Sequence, residues 1–515
     1  MKKSKYYNYL LLGILSIFSF FINFYYAKFG VNPMDSFVLY NAGFKVLNGL
    51  VPFKDYWVVT GPLMDYLNAF FFLIGGVNWN SYIFHSSFVN TLSSVAFYLF
   101  FKRLGLRTSF CFIYSLIFSI LMYPSAGSPF VDHHATILVI ITFFCFVIGA
   151  MNKNNLFLFL IPFFITLGFL IKQTPTVYGA FSIILLTVIF LIKNQEQIKR
   201  FFFSYFFGTI FACFFLFLFF LFTNIPVNNF IIQYINFAST VGTFRMETWS
   251  FSFLGFLHQY KFIIIPTVYL SYLSYKQFNK EKNFFLSLSI ILLTIILLFH
   301  QILTMNENYI FFLIALVTSA IHLSTQSYKN EKKKILYFII ILSLFSSIKY
   351  HDRFNEKRKF HGLEFVNLTN AIDAKNIDES LQGLKWITRD YKNNPTKEIE
   401  GIKESIKIIK NKDENVTIIT PYLFISSIIQ KNDFSPNQWY HSAVSFPLRE
   451  SKFFKNYKNF FVKKINTNEI NEIIIVGQYL ENILYDTFNK DCFDKKKIGI
   501  FTYSFKIIPS CKDFL

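Results

Sequence analysis

Charged side chains are scarce in this sequence, and long stretches of it contain none. Asp, Glu, Lys and Arg make up 16% of the 515 residues, hydrophobic residues make up 53%, and the mean hydropathy is +0.40. Soluble domains carry about 25% charged residues, so this composition excludes an ordinary soluble enzyme. It is typical of a polytopic membrane protein, in which runs of roughly 20 apolar residues cross the bilayer.

Acidic residues are the rarer charge: 30 Asp and Glu against 50 Lys and Arg give a net charge of +20. No soluble segment combines a basic stripe with interleaved stacking aromatics, so the charge does not indicate nucleic-acid binding. The Lys and Arg residues are instead concentrated in short loops between apolar runs. That distribution is the pattern that sets the topology of membrane proteins.

Cysteine is also rare, with five residues in the chain. Cys111, Cys145 and Cys213 lie inside apolar runs, where a buried free thiol is expected. Cys492 and Cys511 fall in the polar C-terminal tail and can pair if that tail is outside the cytoplasm. The N-terminal MKKSK and the apolar run after it resemble a signal peptide, but no small-residue cleavage site follows. We therefore expect an uncleaved first span.

Eleven apolar runs are predicted to span the membrane. They cover residues 7–29, 83–101, 110–123, 137–151, 156–171, 177–192, 201–222, 262–275, 284–303, 310–323 and 335–348. When the loops are read alternately, every loop of one set carries Lys or Arg near a span end, so that side is predicted to be cytoplasmic. The protein is then a multi-pass protein of the plasma (inner) membrane, with the N-terminus inside and the tail outside.

The tail has the composition of a small α/β domain. Two Glu-Lys-rich stretches predict helices, and two β-branched runs predict buried strands. The helices are expected at 357–364 and 398–410, and the strands at 416–420 and 470–477. We therefore predict a membrane domain over residues 1–348, with a catalytic outer loop at 30–82, and an extracytoplasmic domain over residues 349–515.

The first outer loop begins with an acid at the membrane surface, Asp35. The residues after it predict an interfacial helix, because apolar side chains recur at three- and four-residue spacing with polar ones between them. The apolar face is Phe37, Tyr40, Phe44 and Leu47, and the face expected in water is Asn41, Lys45 and Asn48. Such an acid suits chemistry on a lipid-borne substrate, with a helix cap or a solvated loop acid as the alternative. Asp55 and Asp65 equally suit turn or capping roles.

A second group of polar residues, Asp132, His133 and His134, lies at the mouth of the fourth span. Such residues at a membrane helix are costly unless satisfied, which makes them functional candidates. A carboxylate and an imidazole are also competent ligands for a divalent ion. Neighbours on a helix point to different sides, so at most one of the two His shares the direction of Asp132. The alternative is that Asp132 caps the helix.

Two cations complete the set of candidates. Lys172 ends the fifth span on the outer side, against the positive-inside trend, and is expected to hold a phosphate. The alternative is a lysine that only extends its ammonium to the interface. Arg245, which lies near Glu247, is the only Arg of an outer loop before the tail, and Glu307 lies in a later outer loop.

Taken in order, these residues resemble the GT-C superfamily of integral-membrane glycosyltransferases, in its protein O-mannosyltransferase and lipid A aminoarabinose transferase branch. The matching features are the acid Asp35, the loop helix at 40–47, a G-x-x-P-[FY]-x-D segment at 49–55, the turn Gly61-Pro62, the acid Asp132 and the lysine Lys172. The tetrapeptide DHHA at 132–135 is also similar to the second acidic motif of some oligosaccharyltransferase catalytic subunits. The family's usual double-proline turn is Gly-Pro here, so the acceptor and the exact donor sugar do not carry over.

The resemblance implies transfer of a sugar from a polyprenyl-phosphate donor to a lipid, glycan or protein acceptor at the outer membrane face. It implies Asp35 as the general base that takes the proton of the acceptor hydroxyl. Lys172 and Arg245 would hold the departing lipid phosphate. In full, the implied residues are Asp35 and Asp132 in catalysis, and Asp55, His133, Lys172 and Arg245 in substrate binding. No metal is obligatory, and a divalent ion at Asp132 and His133 is the alternative.

Three other classes remain open at this point. A transporter or flippase of lipid-linked glycans needs polar residues near mid-membrane and discontinuous spans, whereas the acids here cluster at one face. A polysaccharide polymerase or ligase is expected to carry key Arg and His residues in one large late loop. A structural membrane protein with a sensory outer domain is the third alternative.

Overall fold

The computed structural model describes residues 2–123, 127–248, 252–278, 281–304, 310–326, 333–477 and 480–511. The protein is mostly helical, with small sheets in the C-terminal part. It divides into two compact units, each assembled from three stretches of chain. The helical unit comprises Met1–Ala27, Phe84–Phe219 and Thr248–Phe360, and the mixed unit comprises Lys28–Ile83, Phe220–Glu247 and His361–Leu515.

The α-helices follow the apolar runs of the sequence. Up to residue 223 they are α1 (Lys2–Tyr26), α2 (Pro33–Leu47), α3 (Leu63–Gly75), α4 (Trp79–Leu104), α5 (Thr108–Met122), α6 (Val131–Met151), α7 (Asn155–Phe169), α8 (Gln173–Lys193) and α9 (Ile198–Thr223). Beyond it they are α10 (Val227–Phe230), α11 (Ala238–Thr248), α12 (Phe253–Lys276), α13 (Glu281–Thr304), α14 (Leu313–Thr325), α15 (Lys333–His351), α16 (Pro395–Lys410), α17 (Ile425–Ile429), α18 (Phe454–Thr467) and α19 (Glu481–Thr487).

Eight helices in the described ranges are long and apolar enough to cross a membrane. They are Tyr6–Tyr26, Trp79–Leu104, Val131–Met151, Gln173–Lys193, Gln195–Thr223, Phe253–Lys276, Lys282–Thr304 and Lys334–His361. The three other predicted spans form the shorter apolar helices α5, α7 and α14. Fifteen residues extend about 22 Å, less than the roughly 30 Å of a hydrocarbon core. The polytopic helical class is thus supported, and the count of eleven spans stays a prediction.

Helix α6 is the central element of the helical unit. It is apolar all round, as buried helices are, and it packs against α7, α8 and α13. Gly149 permits the close approach of α7, because a Cβ there would meet Leu158 Cδ2 at 2.7 Å. The ring of Phe144 stacks on that of Phe100 in α4 with 3.8 Å between centroids. The Asp and His residues of α6 all lie in its first turn.

The sheet of the mixed unit contains both strands that the sequence predicts. Strands β1 (Ile372–Asp373) and β2 (Lys385–Trp386) form a small antiparallel pair. The larger sheet has the order β3-β4-β6-β5, with β3 (Val416–Ile419), β4 (Glu472–Val476), β5 (Phe493–Lys497) and β6 (Thr502–Ile507). Strands β3 and β4 are parallel neighbours and buried at every position, which is why their sequences are continuous apolar runs.

The predicted helices of the tail are confirmed only in part. The stretch 398–410 lies within α16, whereas 357–364 contains no α-helix and includes a 3₁₀ turn at Lys359–His361. Cys492 and Cys511 form a disulfide, with 5.5 Å between their Cα atoms. Cys111 and Cys145 are buried free thiols, as expected, and Cys213 is an exposed one on α9.

The first outer loop groups with the tail and not with the membrane helices. Its helix α2 forms where predicted, but Ser36 through Lys45 are buried. The prediction that Asn41 and Lys45 face water is therefore wrong, while Asn48 is exposed as expected. The reason is that Asp433 of the tail lies 3.0 Å from both polar side chains and covers that face of the helix.

Backbone pairing joins this loop to the tail at two places. Gly30 N donates to Lys385 O over 2.9 Å, and Trp57 N donates to Pro436 O over 2.7 Å. Between them the ring of Phe37 packs edge-to-face on Phe424, with 4.7 Å between centroids. The loop is thus part of the core of the mixed unit.

Candidate functional site

The candidate residues fall into two groups, one in each unit. The mixed unit contains Asp35, Asp55 and Arg245, and the helical unit contains Asp132, His133 and Lys172.

Asp35 lies in the first turn of α2, two residues after Pro33, which begins the helix. Asn32 Nδ2 donates to Asp35 Oδ2 over 2.7 Å and fixes the carboxylate. The other oxygen, Oδ1, is shielded from solvent and accepts no hydrogen bond from the described residues. The nearest basic side chain among them is His441, whose Nε2 lies 3.6 Å from Oδ1. One oxygen is therefore fixed, and the other is left able to accept a hydrogen bond.

His441 is a residue that the sequence reasoning missed. It comes from a loop of the tail, and its backbone is fixed by Ser445, whose hydroxyl accepts from His441 N over 2.6 Å. Its ring lies beside that of Trp439, with 5.4 Å between centroids. The run Trp439-Tyr440-His441 has no helical or strand periodicity. Its polar and aromatic composition was the only signal in the sequence.

Asp55 has both carboxylate oxygens occupied. Lys464 Nζ on α18 donates to Oδ1 over 3.0 Å, and Val51 N donates to Oδ2 over 2.8 Å. These contacts stabilise the turn and connect it to the tail, as a turn residue does. A role of Asp55 in substrate binding stays a prediction.

Asp65, in the first turn of α3, is buried without an ion pair in the described structure. Tyr56 OH donates to its Oδ2 over 2.9 Å, and Gln438 Nε2 donates to its Oδ1 over 2.8 Å. Burial raises the pKa of Asp65 from 3.8 to about 7, although the two hydrogen bonds and the charge of Lys45 act in the opposite direction. This carboxyl group therefore titrates near neutral pH.

The raised pKa of Asp65 predicts a stability that falls as the pH rises. The folded protein holds this proton more tightly than the unfolded chain between about pH 4 and pH 7, so stability is lost through that window. We expect the unfolding temperature of the full-length protein in detergent to decrease from pH 5 to pH 8. Asp65→Asn, which keeps the shape without titrating, should remove part of this decrease. An identical pH profile in both proteins would contradict the assignment.

The mixed unit also contains a fully buried ion pair that the sequence did not indicate. Lys45 Nζ lies 3.0 Å from Asp433 Oδ1, and both side chains are nearly inaccessible to solvent. Burial alone would raise the pKa of Asp433, but the Lys45 charge and hydrogen bonds from Asn41 and Ser435 outweigh it and hold the pKa below its usual range. The pair connects the last turn of α2 to the tail.

In the helical unit, Asp132 is buried in the first turn of α6 and is held by Lys172 and His300. Lys172 Nζ forms an ion pair with its Oδ1, and His300 Nε2 donates to the same oxygen over 3.0 Å. The N-cap of α6 is Phe130, so the alternative that Asp132 caps the helix is wrong. Lys172 precedes α8 and keeps 17% of its side chain exposed. The predicted acid and the predicted lysine are therefore in direct contact.

The two histidines next to Asp132 make contacts of a different kind. The ring of His133 stacks on Tyr123 at 4.6 Å between centroids. His134 hydrogen-bonds with the Tyr123 hydroxyl over 2.6 Å and with His85 Nε2 over 3.2 Å. A third histidine, His300 from α13, contacts the same oxygen of Asp132 as Lys172 does. In the described ranges, no group of three or more His, Cys, Asp and Glu residues lies in a geometry that could hold a metal ion.

Arg245 lies on α11, half-buried, in the mixed unit, whereas Lys172 belongs to the helical unit. Glu247 is exposed on the same helix. The predicted candidate Glu307 lies outside the described residues.

Comparison with known proteins finds no family model that matches this chain and no similar curated protein. The likeness to GT-C glycosyltransferases therefore rests on the ordered residues of the sequence alone.

Proposed function

We propose that this protein is a membrane glycosyltransferase that moves a sugar from a polyprenyl-phosphate donor to an acceptor hydroxyl on the outer face of the membrane, with Asp35 as general base. The observation that supports this most is the state of its carboxylate. Asp55 and Asp65 have both oxygens hydrogen-bonded, and Asp132 is in contact with a lysine and a histidine. Asp35 Oδ1, in contrast, accepts no hydrogen bond within the described chain.

The chemistry follows from that arrangement. A general base has to come within about 3 Å of the proton it removes, and Asn32 fixes Asp35 through the oxygen that is not needed for this step. As Oδ1 takes the proton, the acceptor oxygen bonds to the anomeric carbon and the bond from that carbon to the phosphate oxygen breaks. The products are the glycosylated acceptor and the lipid phosphate.

Lys172 is the proposed partner of the departing phosphate. An ammonium beside a carboxylate stays charged, and Asp132 supplies that carboxylate. Since an ammonium carries three N–H donors and the side chain is partly exposed, a phosphate oxygen can approach it. A cation placed where negative charge develops lowers the barrier. Arg245 is retained as the second candidate for this role.

Replacing Lys172 with Met should slow the chemical step at least tenfold, because one charge-assisted hydrogen bond contributes roughly 1.5–3 kcal/mol. The measurement is single-turnover transfer with the purified protein. Lys199→Met, at an exposed position of α9, is the control and should behave like the wild type. Unchanged turnover in the Lys172 variant would leave it as an interfacial lysine and transfer the role to Arg245.

The proposed site lies on the extracytoplasmic side, with the N-terminus inside and the tail outside the plasma membrane. The eight long apolar helices support a membrane location. The Cys492–Cys511 disulfide supports an oxidising compartment for the tail, since such bonds are rare in the cytoplasm.

A reporter that is active only in the cytoplasm should be silent when fused after Ser347. This follows from eleven spans and Lys-bearing loops on the cytoplasmic side. The control is a fusion after Lys153, in a loop predicted to be cytoplasmic, which should be active. A strong cytoplasmic signal after Ser347 would overturn both the span count and the placement of the acids.

The helical unit gives less support to a transporter. Asp132 is in the first turn of α6, Lys172 immediately precedes α8, and His300 is four residues from the end of α13. These groups lie at helix ends, whereas a carrier needs polar residues near mid-membrane.

The direct test is transfer by the purified full-length protein. Polyprenyl-phosphate hexoses and pentoses are offered with lipid, saccharide and peptide acceptors, and products are identified by mass spectrometry. Cells with and without the gene are compared for surface glycans and glycoproteins. If no donor gives a product and the surface glycans and glycoproteins are unchanged, the proposal fails.

A further inference from the structure

Two shielded polar atoms beside His441 have no hydrogen-bond partner among the described residues. They are Asp35 Oδ1 and the indole nitrogen Nε1 of Trp439. His441 lies next to both residues, with its Nε2 3.6 Å from Asp35 Oδ1 and its ring 5.4 Å from that of Trp439. Buried polar atoms are nearly always paired, and a buried Trp N–H usually finds an acceptor. Their occurrence close to one surface histidine marks a place where a polar ligand supplies the partners.

The charges around this place favour a neutral ligand. In the described chain no Lys or Arg nitrogen lies within 4.0 Å of Asp35, so a phosphate or carboxylate brought there would meet the Asp35 charge with only the His441 imidazole beside it. Trp439 contributes an apolar ring and an N–H donor, and Asp35 contributes an acceptor. A sugar ring has both an apolar C–H face and hydroxyl groups at its edge. Ligand sites in general combine an apolar surface with a few placed polar groups.

We propose that Asp35, His441 and Trp439 form an acceptor subsite for a neutral sugar ring, so that the acceptor is a glycan. This inference rests on the proposed glycosyltransferase function. The reacting hydroxyl gives its proton to Asp35 Oδ1 while its oxygen bonds to the anomeric carbon of the donor. The proton then passes to His441 Nε2 and from there to water. The His441 side chain is 49% exposed, which gives it contact with the solvent that takes the proton.

His441 thus acts through Asp35 and does not touch the reacting atoms. In the resting structure Asp35 Oδ1 is shielded, so the sugar hydroxyl has to enter beside the histidine ring. The bonds between His441 and Ser445 hold the backbone, while the side chain is exposed to solvent. His441 is therefore a positioning residue, and Trp439 is the residue that contacts the sugar.

A binding experiment tests the subsite without any donor. Full-length protein in lipid nanodiscs is titrated with a panel of neutral disaccharides, and its tryptophan fluorescence is recorded. We expect a saturable change with at least one disaccharide, and Trp439→Phe should lose it. Inorganic phosphate should give no such change. The absence of a saccharide-dependent change in the wild type, or its persistence in Trp439→Phe, would overturn the subsite.

A kinetic experiment tests the role of His441. His441→Ala should lower kcat about tenfold with little change in the acceptor KM, and added imidazole should restore part of the rate. The control is His258→Ala, at another exposed histidine on α12. Transfer to peptides or lipids but not saccharides, or full activity of His441→Ala, would overturn the inference while the proposed function stands. No transfer in the wild type to any acceptor would remove the proposed function, and the fluorescence titration would still decide the subsite.

Discussion

Asp35→Asn is expected to fold and to bind the donor but to lose sugar transfer by roughly 10²–10⁴-fold. The amide has the shape of the carboxylate and can keep the contact with Asn32, yet it cannot take the proton of the acceptor hydroxyl. The effect should therefore appear in the rate of the chemical step and not in the yield or unfolding temperature of the protein. The measurement is transfer from a lipid-linked sugar by equal amounts of purified wild type and variant.

Three matched variants separate this effect from general damage. Asp494→Asn changes an exposed acid on β5 and should retain full activity. Asp55→Asn weakens the contact with Lys464 and should lose much less than Asp35→Asn. Asp132→Asn should fall between them, because it weakens the ion pair with Lys172. An inactive Asp55→Asn combined with an active Asp35→Asn would show that the base is assigned to the wrong residue.

The second large effect concerns stability: Asp433→Ala should destabilise the protein by about 3–5 kcal/mol. The substitution leaves the Lys45 ammonium buried without its carboxylate and also removes the acceptor for Asn41. Because the pair connects α2 to the tail, the loss should lower the unfolding temperature and make the first outer loop accessible to protease. Both are measured on the purified protein in detergent.

A double variant, Lys45→Met with Asp433→Leu, distinguishes the cost of an unpaired buried charge from the cost of losing the contact itself. Removing both charges together is expected to cost far less than removing one, since no unpaired ion remains. The surface pair Lys385–Asp373 supplies the control, with both side chains nearly half exposed. Asp373→Ala should cost at most about 1 kcal/mol. Equal losses in the single and double variants of the buried pair would contradict this account.

Local sequence patterns are sufficient to predict the helices of the apolar runs and two strands of the tail. Every predicted membrane run forms a helix because an apolar stretch in a bilayer has to satisfy its own backbone, which a helix does without partners. The strands β3 and β4 were predictable for a related reason, since sheets buried on both faces require continuous β-branched runs.

Local patterns do not predict what covers the polar face of α2. The spacing of Phe37 and Tyr40 identifies which face of the helix is apolar. It does not say what meets the other face, and Asn41 and Lys45 meet Asp433 instead of water. That partner lies in a distant part of the chain, so no local window contains the information.

The candidate site residues likewise divide into those that a local pattern indicates and those that depend on distant parts of the chain. Asp35, Asp132 and Lys172 could be selected from the sequence because polar residues are conspicuous at the ends of apolar runs. His300 and His441 could not, because their relevance depends on the carboxylates that the fold brings beside them. The Asp132–Lys172 pair was likewise not predicted as a pair, although both members were.

The mixed unit is assembled from stretches of chain made at very different times. Helix α2 emerges early from the ribosome, whereas Asp433, His441 and strand β6 emerge only after all the membrane helices. Domains that are contiguous in sequence fold as they are made, but here Lys45 has to wait for its carboxylate partner. Until the tail has been made and has folded, the surroundings of Asp35 are incomplete, so a nascent or truncated chain contains Asp35 without the loop that carries His441. The mixed unit therefore completes its fold only after strand β6 has been made.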